Sequence, residues 1–106
     1  MSTSCVIAIC DRKKDEIVLL EKTHDGFLEN FENIINKAMC INNMDVEELV
    51  NYLIEETDIE FAIYSHKYPQ YAYAFLVDEY RFLEIKINPD IEKIYDCLDD
   101  VKKAIA

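Results

Sequence analysis

The sequence predicts a single α+β domain spanning residues 1–106. Short β-branched runs of period two are interspersed with stretches whose apolar residues recur every 3.6 positions, so strands and helices are both expected. The order of these runs reads ββααβββα, without the regular strand–helix alternation that builds an all-parallel sheet. Hydrophobic residues make up 51% of the 106 positions, enough for one core and too few for two. The simplest expected architecture is one mostly antiparallel five-stranded sheet with the helices on one face.

Residues 4–10 are apolar on both faces and suit a central strand. Asp11-Arg12-Lys13-Lys14-Asp15 is a polar turn, and residues 16–22 return as the second strand of a hairpin. Gly26, the only glycine, closes that strand after Thr23-His24-Asp25. From Phe27 to Met39 the period becomes helical, with Phe27, Phe31, Ile34, Ile35 and Ala38 on the expected core face. Asn42-Asn43 ends that helix. Asp45 starts the next, with Glu48 three residues on as an acidic capping box and Val46, Leu49, Val50, Leu53 and Ile54 as its stripe.

Strands are expected over 59–66, 71–77 and 81–87, joined by turns at 67–70 and at Asp78-Glu79. Tyr71, Tyr73, Phe75 and Val77 share one face of the middle one. Asn88-Pro89 is a helix-start signal, and Ile91, Ile94, Tyr95, Leu98, Val101 and Ile105 follow at helical spacing.

Charge is unevenly placed. The chain carries 22 acids against 11 Lys and Arg, a formal net charge of −11. Residues 25–60 hold ten of the acids against Lys37 alone, a net of −9 on the two helices and their flanks. This balance argues against direct nucleic-acid binding, which needs clustered Lys and Arg, and against attachment to anionic lipid. It favours a basic protein partner, because a dense field of one sign steers and accelerates association with its opposite. Glu29, Glu32, Glu47, Glu48, Glu55, Glu56 and Asp58 are the expected contact residues.

Catalytic and metal signatures are sparse. Cysteines at 5, 10, 40 and 97 contain no Cys-x-x-Cys, and the acids contain no EF-hand pattern, so no metal or cofactor is expected. Cys5 and Cys10, five apart in a strand, fall on opposite faces roughly 17 Å apart. All four cysteines are expected as small buried hydrophobes without disulfides. Ser4 and Ser65 lack a nucleophile-elbow context, and one glycine excludes a glycine-rich phosphate loop. The most site-like tripeptide is His24-Asp25-Gly26. Paired with His66 at another strand end, it would supply the acid and base of a small hydrolase or nuclease. Tyr64, Tyr68, Tyr71, Tyr73 and Tyr80 crowd the second group of strands, and Tyr71 and Tyr73 are candidate contacts of a homo-oligomer. No export signal or run of about 18 apolar residues is present, so a cytoplasmic location is expected.

Ser2-Thr3 ahead of the strand Cys5–Ile9, a hairpin, and His24-Asp25-Gly26 leading into a helix resemble a group of small phage and prokaryotic proteins. Those proteins open with a Thr-Arg strand and carry a His-Trp-Asp-Gly-Tyr-Pro motif. The resemblance covers residues 2–35, with an echo at Val46-Glu47-Glu48-Leu49-Val50, and this chain lacks the motif's Trp and Pro and the strand's Arg. The group has no assigned chemistry, so the resemblance implies only a mobile-element origin. A compact acidic protein of this size is also the format of anti-restriction and anti-CRISPR inhibitors. The expected function is therefore non-enzymatic: an acidic helical surface docking on the basic nucleic-acid-binding site of a host defence protein.

Overall fold

A computed structural model describes residues 3–62, 69–86 and 97–106. Its elements are β1 (Cys5–Asp11), β2 (Glu16–Lys22), a 3-10 turn (Leu28–Asn30), α1 (Glu32–Asn42), α2 (Val46–Glu56), β3 (Glu60–Phe61), β4 (Tyr71–Leu76), β5 (Arg81–Ile85) and α3 (Leu98–Ile105). The parts of the expected strand 59–66, turn 67–70 and last helix that fall at 63–68 and 87–96 lie outside the described residues.

The sheet is five-stranded in the order β3-β2-β1-β4-β5. Its centre corrects the sequence reading. β1 and β4 pair in parallel, Cys5 opposite Tyr71 through Cys10 opposite Leu76, so the sheet is mixed rather than mostly antiparallel. Each of these strands begins an antiparallel pair, β1 with β2 and β4 with β5. The chain between β2 and β4 returns over the sheet before the second pair is laid down, which is the crossover a parallel pair requires.

The helices also lie on both faces, not on one. Cys5, Ile7, Ile9, Leu20, Tyr73, Phe75 and Val77 pack with Phe31, Ile35, Ala38 and Met39 of the α1 side and Val46, Leu49, Val50 and Leu53 of α2. Val6, Ala8, Cys10, Leu19, Ala72, Ala74 and Leu76 pack instead with Cys97, Val101 and Ile105 of the α3 side. Strand alternation sends successive side chains to opposite layers. The second face is lined largely by small residues, so α3 can approach closely. Residues Cys5 to Cys10 are all no more than 1% exposed, which both layers together achieve.

Local chemistry explains the boundaries. α2 opens on the expected capping box: the Glu48 backbone N–H donates to Asp45 Oδ1 at 2.8 Å, and the Asp45 N–H to Glu48 Oε1 at 3.4 Å. α1 ends on Asn43 in the left-handed region at φ 48°, and Asn tolerates that region better than most residues. α1 starts later than its periodicity suggested. A 3-10 turn precedes it, and Phe27 and Ile34, expected in the core, are exposed.

The glycine does unexpected work. Gly26 does not have positive φ; among the described residues the left-handed ones are Asp15, Asp25, Asn43 and Tyr80. Gly26 lies against the lead-in to β1, its N–H donating to the Thr3 carbonyl at 2.9 Å. A Cβ there would meet Cys5 N at 2.8 Å, Ser4 C at 2.8 Å and Thr3 O at 2.9 Å, all backbone atoms. Gly26→Ala is therefore expected to destabilise the fold by about 1–3 kcal/mol, read from the urea midpoint. Conversely, Asp15 holds φ 55° in the β1–β2 turn, and Asp15→Gly should stabilise by about 0.5–1 kcal/mol. An unchanged midpoint in either variant would contradict its assignment.

Candidate functional site

The fold sorts the acidic residues into two groups. The Phe27 ring meets Tyr71 at the start of β4, and the Tyr80 hydroxyl donates to Asn43 Oδ1 beside the β4–β5 turn. The segment from Phe27 to Asn43, which contains α1, thus runs from the start of β4 to the β4–β5 turn. α2 returns: it begins three residues after Asn43, and Asp58, just past its end, holds Lys22, the partner of Cys5 at the start of β1. The start of α1 and the end of α2 therefore lie at the end of the sheet where β1 and β4 begin. The start of α2 lies at the opposite end, with the two hairpin turns.

Of the expected contact residues, Glu29, Glu32, Glu55, Glu56 and Asp58 come to the first end, while Glu47 and Glu48 stand at the second. Eight helical residues separate Glu47 from Glu55, about 12 Å along the axis. The screening length at physiological salt is about 8 Å, so these are two fields rather than one surface. The first end also carries exposed Asp25 and Glu60. Its described bases are Lys86 and Lys22, and both Asp58 carboxylate oxygens hold the Lys22 ammonium at 2.8 Å. Asp58 is thereby neutralised and is the weakest member of the expected set. Nothing in the spacing of Lys22 and Asp58 announces that pair, because it forms only when α2 lands on β2.

Glu47 and Glu48 have local duties. Both stand in the first turn of α2, where negative charge opposes the positive end of the helix dipole, and Glu48 completes the capping box. Glu55 and Glu56 occupy the last turn, which contains no basic residue. Each costs the isolated helix about 0.3–1 kcal/mol there. They are exposed and make no contribution to the cap.

The opposite end holds Arg12, Lys13, Lys14 and Arg81, with carboxylates set among them. Arg12 Nε and Nη2 donate to Asp78 Oδ2 at 3.2 and 3.1 Å, and Nη2 also donates to Glu79 Oε1, tying the two hairpin turns together. Arg81 pairs with Glu79 at 3.2 Å. A groove of about 600 Å³ separates the β1–β2 turn from α3, with Lys13, Lys102, Asp15, Glu16 and Ile105 among its lining. The cluster Arg12-Lys13-Lys14 is thus not a free basic patch, since Arg12 is engaged by carboxylates.

His24 and Asp25 are exposed, Asp25 in the left-handed region with its carbonyl accepting from Asn30 Nδ2 at 2.9 Å. The His24-Asp25-Gly26 segment performs turn and packing work. His66 lies outside the described residues. Burial pushes the Cys5 and Cys10 thiols up to about 12, which keeps them protonated at neutral pH. Cys5, Cys10 and Cys97 are buried as expected, whereas Cys40 is exposed on α1. Among the described residues no group of three His, Cys, Asp or Glu could hold a metal ion, and no helix is long and apolar enough to cross a membrane.

Tyr73, expected at an oligomer contact, is 5% exposed and packs edge-on against Phe31 at 5.7 Å. Tyr71 is exposed, but β4 is an inner strand, so its backbone cannot pair with a second copy.

The Arg12 contact has a pH signature. Burial acts to raise the Asp78 carboxyl, but the Arg12 hydrogen bonds outweigh it and hold the group below its ordinary value. A depressed carboxyl stabilises the fold above its unfolded value near about pH 4, and that stabilisation is lost as pH falls through the lowered one. Asp78→Asn should therefore flatten the acid limb of a Tm-against-pH curve and lower Tm at neutral pH. A variant whose acid limb parallels the wild type would show that this pair does not contribute.

Comparison with protein-family models, with curated proteins and with solved structures finds no match to this chain.

Proposed function

We propose that this protein is a non-enzymatic acidic binding protein that docks on a basic surface of a nucleic-acid-handling partner. The observation that carries this reading is the crowding of Asp25, Glu29, Glu32, Glu55, Glu56 and Glu60 at one end of the molecule. Lys22, the base nearest to Asp58 there, is already bound to it. Glu55 and Glu56 add support, because they stand where the helix dipole disfavours them and do nothing for the fold. Carboxylates so arranged occupy the Lys and Arg sites that a nucleic-acid-binding protein keeps for phosphates. Such competition is the mode of action of a mobile-element inhibitor of a host defence protein, the role proposed for this chain.

The test uses Glu55→Lys/Glu56→Lys rather than changes at Glu47 or Glu48, which stand in the first turn of α2, where Glu48 also completes the capping box. The double variant should be as stable as the wild type or gain up to about 1–2 kcal/mol, since Lys favours the helix C-terminus. In pull-downs from nuclease-treated host lysate, the wild type should retain a basic protein at low salt, release it at high salt, and inhibit its nucleic-acid binding. The stable variant should lose capture at least ten-fold. Equal capture by a folded double variant, or capture indifferent to salt, would overturn the proposal.

A further inference from the structure

Phe27 and Tyr71 form an exposed aromatic pair at the acidic end. Their ring centroids are 5.4 Å apart at 48°, and the residues are 41% and 37% exposed. These rings are the outer members of a continuous series of contacts. Tyr71 stacks on Tyr73 at 6.4 Å, Tyr73 meets Phe31 at 5.7 Å, Phe31 meets Phe82 at 6.2 Å, and Phe82 meets Phe75 at 4.8 Å. Phe31, Tyr73 and Phe75 are buried, so the core supports the exposed pair from behind.

The backbone around the pair is equally fixed. The Tyr71 N–H donates to the Ser4 carbonyl at 3.3 Å, and Gly26, next to Phe27, donates to Thr3 at 2.9 Å. Rings held in place lose little freedom when a partner lands on them. Exposed Asp25 and Glu29 stand two positions to either side of Phe27, exposed Glu84 is the cross-strand partner of Tyr73, and exposed Lys86, one residue past β5, sets a single positive charge against these three acids.

These features select one kind of occupant. An aromatic face attracts a cation, and a guanidinium suits it better than an ammonium because it is planar and more weakly hydrated. Neighbouring carboxylates accept its N–H groups. A purely apolar partner would desolvate those carboxylates without compensation, and a second copy of this chain would bring more negative charge. Phosphate is repelled for the same reason.

We infer that Phe27 and Tyr71 are an arginine-docking anchor, receiving a guanidinium of the basic partner between their ring faces and the carboxylates of Asp25, Glu29 and Glu84. The anchor rests on the acidic-docking reading and names the side chain that this end recognises.

Octa-arginine and octa-lysine peptides, titrated into the full chain by calorimetry and NMR, provide the test. The wild type should bind octa-arginine about five-fold tighter than octa-lysine, with the Phe27 and Tyr71 ring resonances moving. Phe27→Leu/Tyr71→Leu keeps apolar bulk but removes the π faces. It should abolish the preference by weakening arginine binding alone, while Tyr71→Phe retains the preference. Equal affinities in the wild type, an unmoved ring pair, or a preference surviving in the Leu variant would each overturn the anchor. If the double variant fails to fold, Phe27→Leu and the wild-type ring shifts decide the matter. Equal binding of both peptides removes the anchor and leaves acidic docking standing. Binding of neither peptide at low salt removes both.

Discussion

Everything in this fold is arranged around keeping β1 out of water on both sides. Six successive residues, Cys5 to Cys10, are buried to within 1% of completely, and their side chains alternate between two layers. Full burial of a single Val or Ile contributes roughly 1.5–3 kcal/mol, so the strand's four β-branched and small apolar residues Val6 to Ile9 reward a cover on each face. The α1–α2 pair supplies one cover and α3 the other. The same demand brings β4 alongside, because its alternating Tyr-Ala-Tyr-Ala pattern gives large side chains to the two-helix layer and small ones to the α3 layer. Gly26 belongs to the same constraint: only a residue without a Cβ lets the chain leaving β2 press against the backbone that enters β1.

The covers also fix the electrostatics. α1 and α2 run in opposite directions over the sheet, so acids near the start of one and the end of the other converge. Acids at the start of α2 are carried away from them. Sequence proximity is a poor guide here: Glu48 and Glu55 are seven residues apart on one helix, whereas Glu29 and Glu55 share an end of the molecule through the antiparallel return. Of the two groups, the one including Glu47 and Glu48 is tied to helix initiation. In the other, Glu32 stands in the first turn of α1 and Asp58 binds Lys22, whereas Glu55 and Glu56 stand against the helix dipole, which is why they carry the functional proposal.

Aromatic packing links the two themes. The series from Phe75 to Phe27 begins among buried core rings and emerges beside Asp25 and Glu29. Tyrosines that read as a stripe along one strand have divergent fates. Tyr73 serves the core, Tyr71 lies at the surface, and Tyr80 in the β4–β5 turn bonds Asn43 at the end of α1. A strand's period says which face a ring shares, but its exposure depends on how far the covering helix extends over that face. Phe31 reaches Tyr73, and Phe27, in the segment before the 3-10 turn, covers Tyr71 only in part.

Much of the local structure was legible from residue types alone. The β1–β2 hairpin, the Asp45–Glu48 box, the Leu49-Val50-Leu53 stripe and the opposite facing of Cys5 and Cys10 follow from periodicity and capping, which act over a few residues. The double-sided apolar character of β1 was equally legible, and it already implied helices on both faces. A sheet covered on one face only does not meet that demand. What the chain alone left open is long-range: the parallel β1–β4 pairing, the burial of Tyr73, the exposure of Phe27 and Ile34, the Lys22–Asp58 pair and the division of the acids between two ends. Each depends on where a helix comes to rest on the sheet, and helix placement is settled by the summed packing of many side chains, which no short window of sequence contains.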